Sequence, residues 1–245
     1  MKPSVYHVGL TPPPSIEIDD FQIHYFPVSD VIFKSSHMPE DIREVLKQRP
    51  IIVLMSKNSV SGLEKWLSNY NLDNNFFNGY NFWTVGERTQ NYLQKVIGIQ
   101  SSYPDEMTGK GLIKVLNRRN YSKVLLITGQ NPQEEFIDRL SMSNIHFFHF
   151  PVYEVCAKEN LEFSTSFMDS KENYLIITSP SSIDGIIKNL RISDLSEIKS
   201  HLISIGPTTS SSICRNGGIV FYESTVQNIK ILYEKLINII FETHN

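Results

Sequence analysis

The 245-residue sequence contains only two cysteines, Cys156 and Cys214, and they fit neither a metal-ligand spacing nor a disulfide framework. We expect both to be buried, reduced thiols, Cys214 in a helix and Cys156 in a linker. The sequence also lacks an excess of charge, because 23 basic and 26 acidic residues give a net charge of −3. It therefore has no global positive field to hold nucleic acid or an anionic membrane, and we expect neither partner.

Long hydrophobic runs are absent as well, since no stretch approaches the roughly 18 apolar residues of a transmembrane helix. The amino terminus, MKPSVYHVGLTPPP, meets three prolines before any long apolar run and does not resemble a signal peptide. These features predict a cytoplasmic protein.

Three familiar kinds of site are also missing from the sequence. The loops GxGxxG and GxxxxGK[ST], which hold dinucleotides and nucleoside triphosphates, do not occur, and neither does the GxSxG of a nucleophile elbow. The seven histidines do not cluster at metal-ligand spacings, so we expect no metal.

Short β-branched and aromatic runs alternate with amphipathic helical patterns, which predicts parallel sheets flanked by helices. The predicted strands are residues 5–9, 22–26, 51–55, 82–85, 123–128, 146–150, 174–178, 202–205 and 219–222. The predicted helices include 40–48, 62–70, 89–96, 111–118, 133–140 and 226–241, the last with Ser224 or Thr225 as its cap.

Three motifs occur twice, in the same order and at nearly the same spacing. FPVSDV at 26–31 recurs as FPVYEV at 150–155, SKNSVSG at 56–62 as SPSSIDG at 179–185, and VGERT at 85–89 as IGPTT at 205–209. The chain is therefore interpreted as a duplicated α/β unit. In the first copy TPPPSIEIDD stands where the second copy has helix 133–140, so the first helix is stunted or missing. Periodicity alone allows the strands of the two copies to pair sequentially or to be swapped.

Serine-rich strand-to-helix junctions are the first candidate ligand sites. Ser56 follows strand 51–55, and Ser179 and Ser181 follow strand 174–178. In doubly wound sheets ligands collect beyond the carboxyl ends of the strands, where helix N-termini present free N–H groups to carboxylate or phosphate. The alternative is that these serines are ordinary helix caps.

Two Gly-x-x-Thr junctions make a similar kind of site. Gly86 precedes Thr89, and Gly206 precedes Thr208 and Thr209, so each glycine allows a tight turn and each threonine offers a hydroxyl beside free amides. Each junction alone is also consistent with simple capping. Together, four junctions with two in each copy predict a cleft for a ligand that carries several negative groups.

Three larger side chains lie near these junctions. Tyr153 stands in the linker where the first copy has Ser29. A linker tyrosine most often packs with its hydroxyl on a carbonyl, but in a cleft it can donate a proton to a leaving group. Lys57 and Arg88 lie inside junctions where a cation can meet an anionic ligand, although such side chains are mostly solvated.

These motifs, in this order, resemble the uroporphyrinogen-III synthase family over nearly the whole chain. The most specific segments are TSPS at 178–181, IGPTT at 205–209 and the linker pair 152–153, and VGERT at 85–89 is similar to the family's other junction. The resemblance implies an α/β fold with two flavodoxin-like parallel-sheet domains joined by a two-stranded linker. Residues 1–35 and 156–245 would form a discontinuous domain 1, and residues 36–155 domain 2. The substrate would lie in a cleft that opens by hinge motion.

The resemblance also implies the activity. The family cyclises hydroxymethylbilane, inverting its terminal pyrrole ring D, to give uroporphyrinogen III without metal or organic cofactor. We expect the chain to do this as a monomer, with Tyr153 as the proton donor that assists hydroxyl departure. The implied carboxylate-binding residues, acting with nearby backbone amides, are Ser56, Thr89, Ser179, Ser181, Gly206, Thr208 and Thr209.

The chain departs from the family pattern at Lys57, where proline is common, and at the shortened first helix. One alternative function is a non-enzymatic anion-binding, tetrapyrrole-binding or regulatory protein on the same scaffold, because a fold alone does not settle function. Another is a different enzyme of the tetrapyrrole pathway, which the lack of metal-ligand clusters disfavours.

Overall fold

The computed structural model describes residues 4–15, 21–34, 40–160, 170–226 and 228–244. The chain forms two compact units, unit 1 from Met1–Asp30 and Cys156–Asn245 and unit 2 from Val31–Val155. The strands are β1 Ser4–Val8, β2 Gln22–Phe26, β3 Ser29–Phe33, β4 Ile51–Leu54, β5 Phe82–Thr84, β6 Lys123–Gly129, β7 His146–Ala157, β8 Tyr174–Ile177, β9 His201–Ser204 and β10 Val220–Glu223. The α-helices are α1 Glu40–Lys47, α2 Lys57–Asn69, α3 Glu87–Ile97, α4 Gly109–Arg118, α5 Glu134–Ser141, α6 Ser181–Leu190, α7 Pro207–Arg215 and α8 Ile229–His244.

The sheet of unit 1 has the strand order β10-β9-β8-β1-β2, and its neighbouring strands are parallel. When the five strands of this unit are numbered in chain order and the sheet is read from β2 to β10, the order is 2-1-3-4-5, as in flavodoxin-like folds. Strand β8, with the sequence YLII, is buried along its whole length, as expected where helices cover both faces of a sheet. Leu175 and Ile177 point into the core with α6, while Tyr174 and Ile176 point into the core with α8.

The sheet of unit 2 has the order β3-β7-β6-β4-β5, and β7, β6, β4 and β5 are parallel. Its interior strand β4, with the sequence IIVL, is also fully buried. Ile52 and Leu54 pack with Trp66 on one face, and Ile51 and Val53 pack with α4 and α5 on the other. The predicted α/β class with parallel sheets is therefore confirmed.

Strands of the two copies are exchanged. β1, from the start of the chain, pairs with β8, which follows the second FPVxxV segment. The contacts of two helix glycines at repeat-related positions show the same exchange between the copies. A Cβ on Gly62 would lie 2.8 Å from Cβ of Val152, and a Cβ on Gly185 would lie 2.8 Å from Cβ of Val28. Each FPVxxV segment thus packs on a helix that belongs to the other copy.

The segments that connect the two units are the strands β3 and β7, which are neighbours in one sheet. The Lys34 N–H donates to the Val152 carbonyl at 2.9 Å, and the Lys158 N–H donates to the Val28 carbonyl at 2.7 Å. Residue numbers rise in one partner as they fall in the other, which is the pattern of an antiparallel pair. β7 extends to Ala157, well beyond the predicted strand end at residue 150.

Two sequence-based expectations are wrong. Helix α8 begins at Ile229 rather than residue 226, and Asn228 Oδ1 accepts the Lys230 N–H at 3.0 Å, while the Ser224 hydroxyl donates to the Val226 carbonyl. The cap is therefore Asn228 and not Ser224 or Thr225. Cys214 lies in helix α7 as predicted, but it is exposed rather than buried, and Cys156 in β7 is only partly buried.

The stretch between β1 and β2 contains no helix in its described part, residues 9–15 and 21. Part of the predicted deletion, residues 16–20, lies outside the described residues. Where the chain leaves β1, the buried ring of His7 bonds to the backbone, with its Nε2 3.0 Å from the Thr11 carbonyl.

His7 is fully hydrogen-bonded as a neutral imidazole. A carbonyl can only accept, so Nε2 carries the proton and donates to Thr11, while Nδ1 accepts from the Tyr233 hydroxyl at 2.9 Å. Burial lowers the pKa of His7 to about 4, with the Thr11 bond acting in the opposite direction. Burial also raises the pKa of Tyr233, so the phenol stays protonated and keeps donating. This contact ties α8 to the end of β1.

The lowered pKa predicts a loss of stability in acid. Between pH 6.5 and 4 the unfolded chain binds a proton at His7 that the folded chain does not, so stability falls as pH falls through this window. We expect His7 to account for a loss of about 2 kcal/mol between pH 7 and pH 5. Urea unfolding at both pH values measures it. His7→Gln should remove this part of the loss, and the exposed control His146→Gln should retain it. An unchanged loss in His7→Gln would refute the assignment.

Candidate functional site

Tyr153 and Ser56 meet at the carboxyl edge of the sheet of unit 2. The Tyr153 hydroxyl on β7 lies 3.3 Å from Ser56 Oγ, which caps helix α2 by accepting the Ser59 N–H at 3.2 Å. The Ser59 hydroxyl, which is fully buried, lies 3.1 Å from the same Ser56 oxygen. The tyrosine hydroxyl therefore belongs to a chain of hydroxyl groups that ends in the core, while its ring is only half-buried.

The ring of Tyr153 is positioned by Gly129, the last residue of β6. A Cβ at this glycine would lie 3.0 Å from Cζ and Cε2 of the tyrosine, so the absence of a side chain lets the ring lie against the strand. The register of β6 and β7 shifts between Thr128 and Gly129, which places Gly129 opposite Tyr153. His149 Nε2 donates to the Gly129 carbonyl at 3.0 Å, and burial lowers the pKa of this histidine. Gly129, at the end of β6, therefore contacts both the Tyr153 ring and the His149 ring.

The two Gly-x-x-Thr junctions have the same architecture. The Thr84 hydroxyl donates to the Gly86 carbonyl at 3.2 Å, and the Ser204 hydroxyl donates to the Gly206 carbonyl at 3.0 Å. Both glycines are extended caps without a side-chain bond, at the start of α3 and α7 respectively. The first N–H groups of each helix therefore lack side-chain partners at the cap, as an anion-binding helix N-terminus requires.

Within these first turns the threonines differ in exposure. Thr89 and its counterpart Thr209 are buried, at 6% and 3% exposure, whereas Thr208 is exposed. Pro207 occupies the first position of α7, where a missing N–H costs nothing. A ligand that approaches this junction meets the Thr208 hydroxyl and the backbone first.

A group of three serine hydroxyls marks the junction after β8 in unit 1. Ser179 Oγ lies 3.0 Å from Ser181 Oγ and 2.9 Å from the buried Ser182 Oγ. The cap position is Pro180, which has no side-chain bond to offer. Ser179 and Ser181 are therefore half-exposed hydroxyls beside a helix N-terminus. The Ser181 carbonyl accepts from the buried Ser29 hydroxyl at 3.2 Å, so the first linker supports this turn.

The cations of the junctions lie in unit 2. Lys57 is the first residue of α2, with its ammonium 5.6 Å from the centre of the Tyr92 ring, and Arg88 is exposed in the first turn of α3. An exposed ammonium group over an aromatic face is attracted to the ring by about 0.5–1 kcal/mol. Lys57 thus places a positive charge in the first turn of α2, at the position where proline is common in the family pattern.

The predicted site residues fall into two sets, one in each unit. Ser56 and Tyr153 are brought together in unit 2, with Thr89 at the neighbouring junction, and unit 1 holds Ser179, Ser181, Gly206, Thr208 and Thr209. Sequence reasoning missed Gly129 and Ser182. The signals for them were the strand-end position of Gly129 and the run of serines at 179–182.

The described ranges offer neither a metal cluster nor a membrane helix. Within them, no group of three or more His, Cys, Asp or Glu side chains is arranged to hold a metal ion. None of the helices described there is both long and apolar enough to cross a membrane.

The matching family model and the similar solved structures all belong to uroporphyrinogen-III synthases. The family model of uroporphyrinogen-III synthase HemD matches residues 15–234. The uroporphyrinogen-III synthetase of Helicobacter pylori has a similar structure, with a TM-score of 0.64, 16% identity and coverage of 98% of this chain and 100% of that one. A mutant uroporphyrinogen III synthase of the extremely thermophilic bacterium Thermus thermophilus gives a TM-score of 0.62 at 13% identity, over 98% and 99%. No curated protein matches the sequence at a significant level.

At these identities the solved structures show a shared fold, while the family model covers most of the chain. The duplicated α/β fold and the family match together define an enzyme of tetrapyrrole (porphyrin and haem) biosynthesis. The chain belongs to the uroporphyrinogen-III synthase family.

Proposed function

We propose that this enzyme converts hydroxymethylbilane into uroporphyrinogen III, closing the macrocycle with inversion of ring D. The observation that carries the proposal is the Tyr153 hydroxyl, held 3.3 Å from Ser56 Oγ at a helix N-terminus. A phenol at this place can protonate a leaving group while amide and hydroxyl donors nearby bind carboxylates. The membership of the chain in the family supports the same reaction.

The reaction needs control of geometry more than raw acceleration. Loss of the substrate's hydroxyl as water leaves an electrophilic azafulvene, and the substituted carbon of the terminal pyrrole then attacks it to give a spiro intermediate. Rearrangement of this intermediate inverts the ring and completes the type III product. Closure at the unsubstituted carbon gives the type I isomer without an enzyme. Holding the reacting ends in one orientation therefore decides the product.

Tyr153 is the proposed proton donor to the departing hydroxyl. Its ring rests on Gly129 and its hydroxyl contacts Ser56, so the phenol has a fixed direction. The Ser56 hydroxyl stabilises the phenolate that forms when the proton leaves, because it can turn its hydrogen toward the charge, and the Ser59 hydroxyl can in turn donate to Ser56 Oγ. The reaction proposed here uses no metal and no organic cofactor.

The substrate's carboxylates are proposed to bind at the strand-to-helix junctions of each unit. Backbone N–H groups at the start of α2, α3, α6 and α7 supply donors, and the positive ends of these helices favour negative charge. Local donors explain how a protein with a net charge of −3 can hold a polyanion. The proposed contacts are Ser56, Thr89, Ser179, Ser181, Gly206, Thr208 and Thr209.

We also propose that the protein works as a cytoplasmic monomer with two domains, 1–35 with 156–245 and 36–155, and that nucleic acid is not a partner. The compact units divide the chain nearby, between Asp30 and Val31 and between Val155 and Cys156.

Thr208→Val is expected to raise KM for hydroxymethylbilane by about fivefold, because it removes one exposed hydroxyl donor worth about 1 kcal/mol to a carboxylate. Valine keeps the shape, so the free energy of unfolding should change little. Ser211→Ala, an exposed hydroxyl further along α7, is the matched control. An equal KM in all three proteins would remove Thr208 from the proposed site.

The proposed function is tested by incubating the purified protein with freshly generated hydroxymethylbilane, oxidising the products and separating uroporphyrins I and III by chromatography. Uroporphyrin III is expected to predominate over a control without enzyme. Uroporphyrin I alone, from protein shown to be folded, would contradict the proposal and favour a non-enzymatic binding protein on the same scaffold.

A further inference from the structure

A cavity of about 400 Å³ lies in unit 2 at the amino ends of its strands. It is lined by residues from the end of α1, which precedes β4, and from the segment between α2 and β5. Ser56 and Thr89 follow the carboxyl ends of β4 and β5, so the cavity is at the opposite edge of the same sheet. Its volume is within the range of small-molecule sites, about 300–1,000 Å³.

Three aromatic rings form the wall of this cavity: Tyr70, Phe76 and Tyr80. Each is half-buried, so part of each ring faces the open space. The rings are held from behind, since the buried Trp66 ring packs 5.3 Å from Tyr70 and 5.9 Å from Phe76 between centroids. The Tyr80 hydroxyl donates to the Leu46 carbonyl at 2.9 Å, which fixes the third ring. Fixed rings of this kind offer stacking and edge contacts to another planar ring.

The rim of the cavity is cationic. Arg43 and Lys47 line it from successive turns of α1, and the Arg49 guanidinium lies 5.1 Å from the centre of the Tyr80 ring. Lys47 pairs with Glu44 at 2.5 Å, but both side chains are largely exposed, and such pairs contribute little and exchange readily. None of the residues that line the described cavity is acidic. The positive charges of Arg43, Lys47 and Arg49 exceed the negative charge of Glu44 beside them, so this rim suits an anion.

We propose that this cavity is a second binding site, separate from the catalytic one, for a small planar aromatic carboxylate of one or two rings. The ring would stack within the wall of Tyr70, Phe76 and Tyr80, and the carboxylate would meet Arg43 and Lys47 at the rim. The ring of the ligand fits the aromatic wall and its carboxylate fits the positively charged rim. An uncharged aromatic compound or a saturated acid would therefore use only one of these two features. The site does not depend on the proposed reaction, because it shares no residue with the proposed catalytic set.

The test is calorimetric titration of the full chain with three probes: indole-3-acetate, indole, and cyclohexylacetate. Indole-3-acetate is expected to bind about fivefold or more tightly than either of the others. Arg43→Gln should weaken its binding about fivefold, as expected for loss of one exposed charge contact. Arg118→Gln, an exposed arginine at the end of α4, is the matched control and should bind like the parent. Neither substitution should change catalysis.

Amide NMR shifts locate the bound probe. The proposal expects the largest shifts at Leu46, Leu72 and Phe76, which line the cavity. Equal affinity for all three probes, equal weakening by Arg43→Gln and Arg118→Gln, or shifts centred on Ser56 and Thr89 would each overturn it. Absence of any binding at millimolar probe would do the same.

Discussion

Tyr153→Phe is expected to slow the formation of uroporphyrinogen III by about a hundredfold, the lower end of what a general acid contributes. The substitution removes one oxygen, which lies 3.3 Å from Ser56 Oγ, and leaves the ring on Gly129. Packing is therefore preserved while the proton donor is lost. The slow closure that gives type I competes more effectively in this variant, so the share of uroporphyrin I should also rise.

The measurement is the initial rate and isomer ratio for parent and variant, with urea unfolding to show that both are folded. Tyr92→Phe is the matched control, because the Tyr92 hydroxyl also bonds a serine of α2, Ser61 at 3.0 Å. It should retain the parent rate within about a factor of three, the effect of one modest hydrogen bond. Equal rates for Tyr153→Phe and Tyr92→Phe would show that Tyr153 serves packing and not proton transfer.

Gly185→Ala is expected to lower the free energy of unfolding by about 3 kcal/mol. A Cβ at this position would lie 2.2 Å from the Val28 carbonyl oxygen and 2.8 Å from the Val28 Cβ. The first of these contacts is to the backbone, so no side-chain rotation relieves it. The same change in an open helix stabilises it by roughly 1 kcal/mol, which makes the sign of the effect diagnostic.

Urea unfolding of parent and variant measures this effect. Asp184→Ala, the exposed neighbour on α6, is the control and should change stability by less than about 0.5 kcal/mol. Gly62→Ala should behave like Gly185→Ala, because its Cβ would lie 2.9 Å from the Val152 carbonyl oxygen. A stabilised Gly185→Ala variant would mean that the FPVxxV segment does not lie on this helix.

Much of the fold could be predicted because local sequence determines it. Strands such as β4 and β8 are uninterrupted apolar runs, and the three repeated motifs marked equivalent turns in the two copies. The exchange of strands could not be derived from these patterns, since Gly62 and Gly185 look the same whichever linker packs on them. It is decided by long-range contacts, such as that between β1 and β8.

The candidate site likewise combines features that local sequence predicts with features that depend on long-range contacts. Residue types alone indicated hydroxyl-rich junctions, and those at Ser56 and Ser179 do present hydroxyl groups beside helix N-termini. The Tyr153–Ser56 contact spans 97 residues and depends on the register shift at Gly129, which no local pattern reveals. The cap of α8 was misplaced because Ser224 and Asn228 are both good caps, and only tertiary packing decides where the helix starts.

The assignment of carboxylates to the helix N-termini is tested most directly by amide NMR of the labelled protein during anaerobic titration with uroporphyrinogen III. The first turns of α3 and α7, at Glu87–Thr89 and Thr208–Ser210, are expected to show the largest shifts, together with those of α2 and α6. The chemical shifts of amides at the aromatic cavity, which is lined by the end of α1 and the segment between α2 and β5, should not change. Saturable binding that leaves all four first turns unshifted would contradict the proposed site.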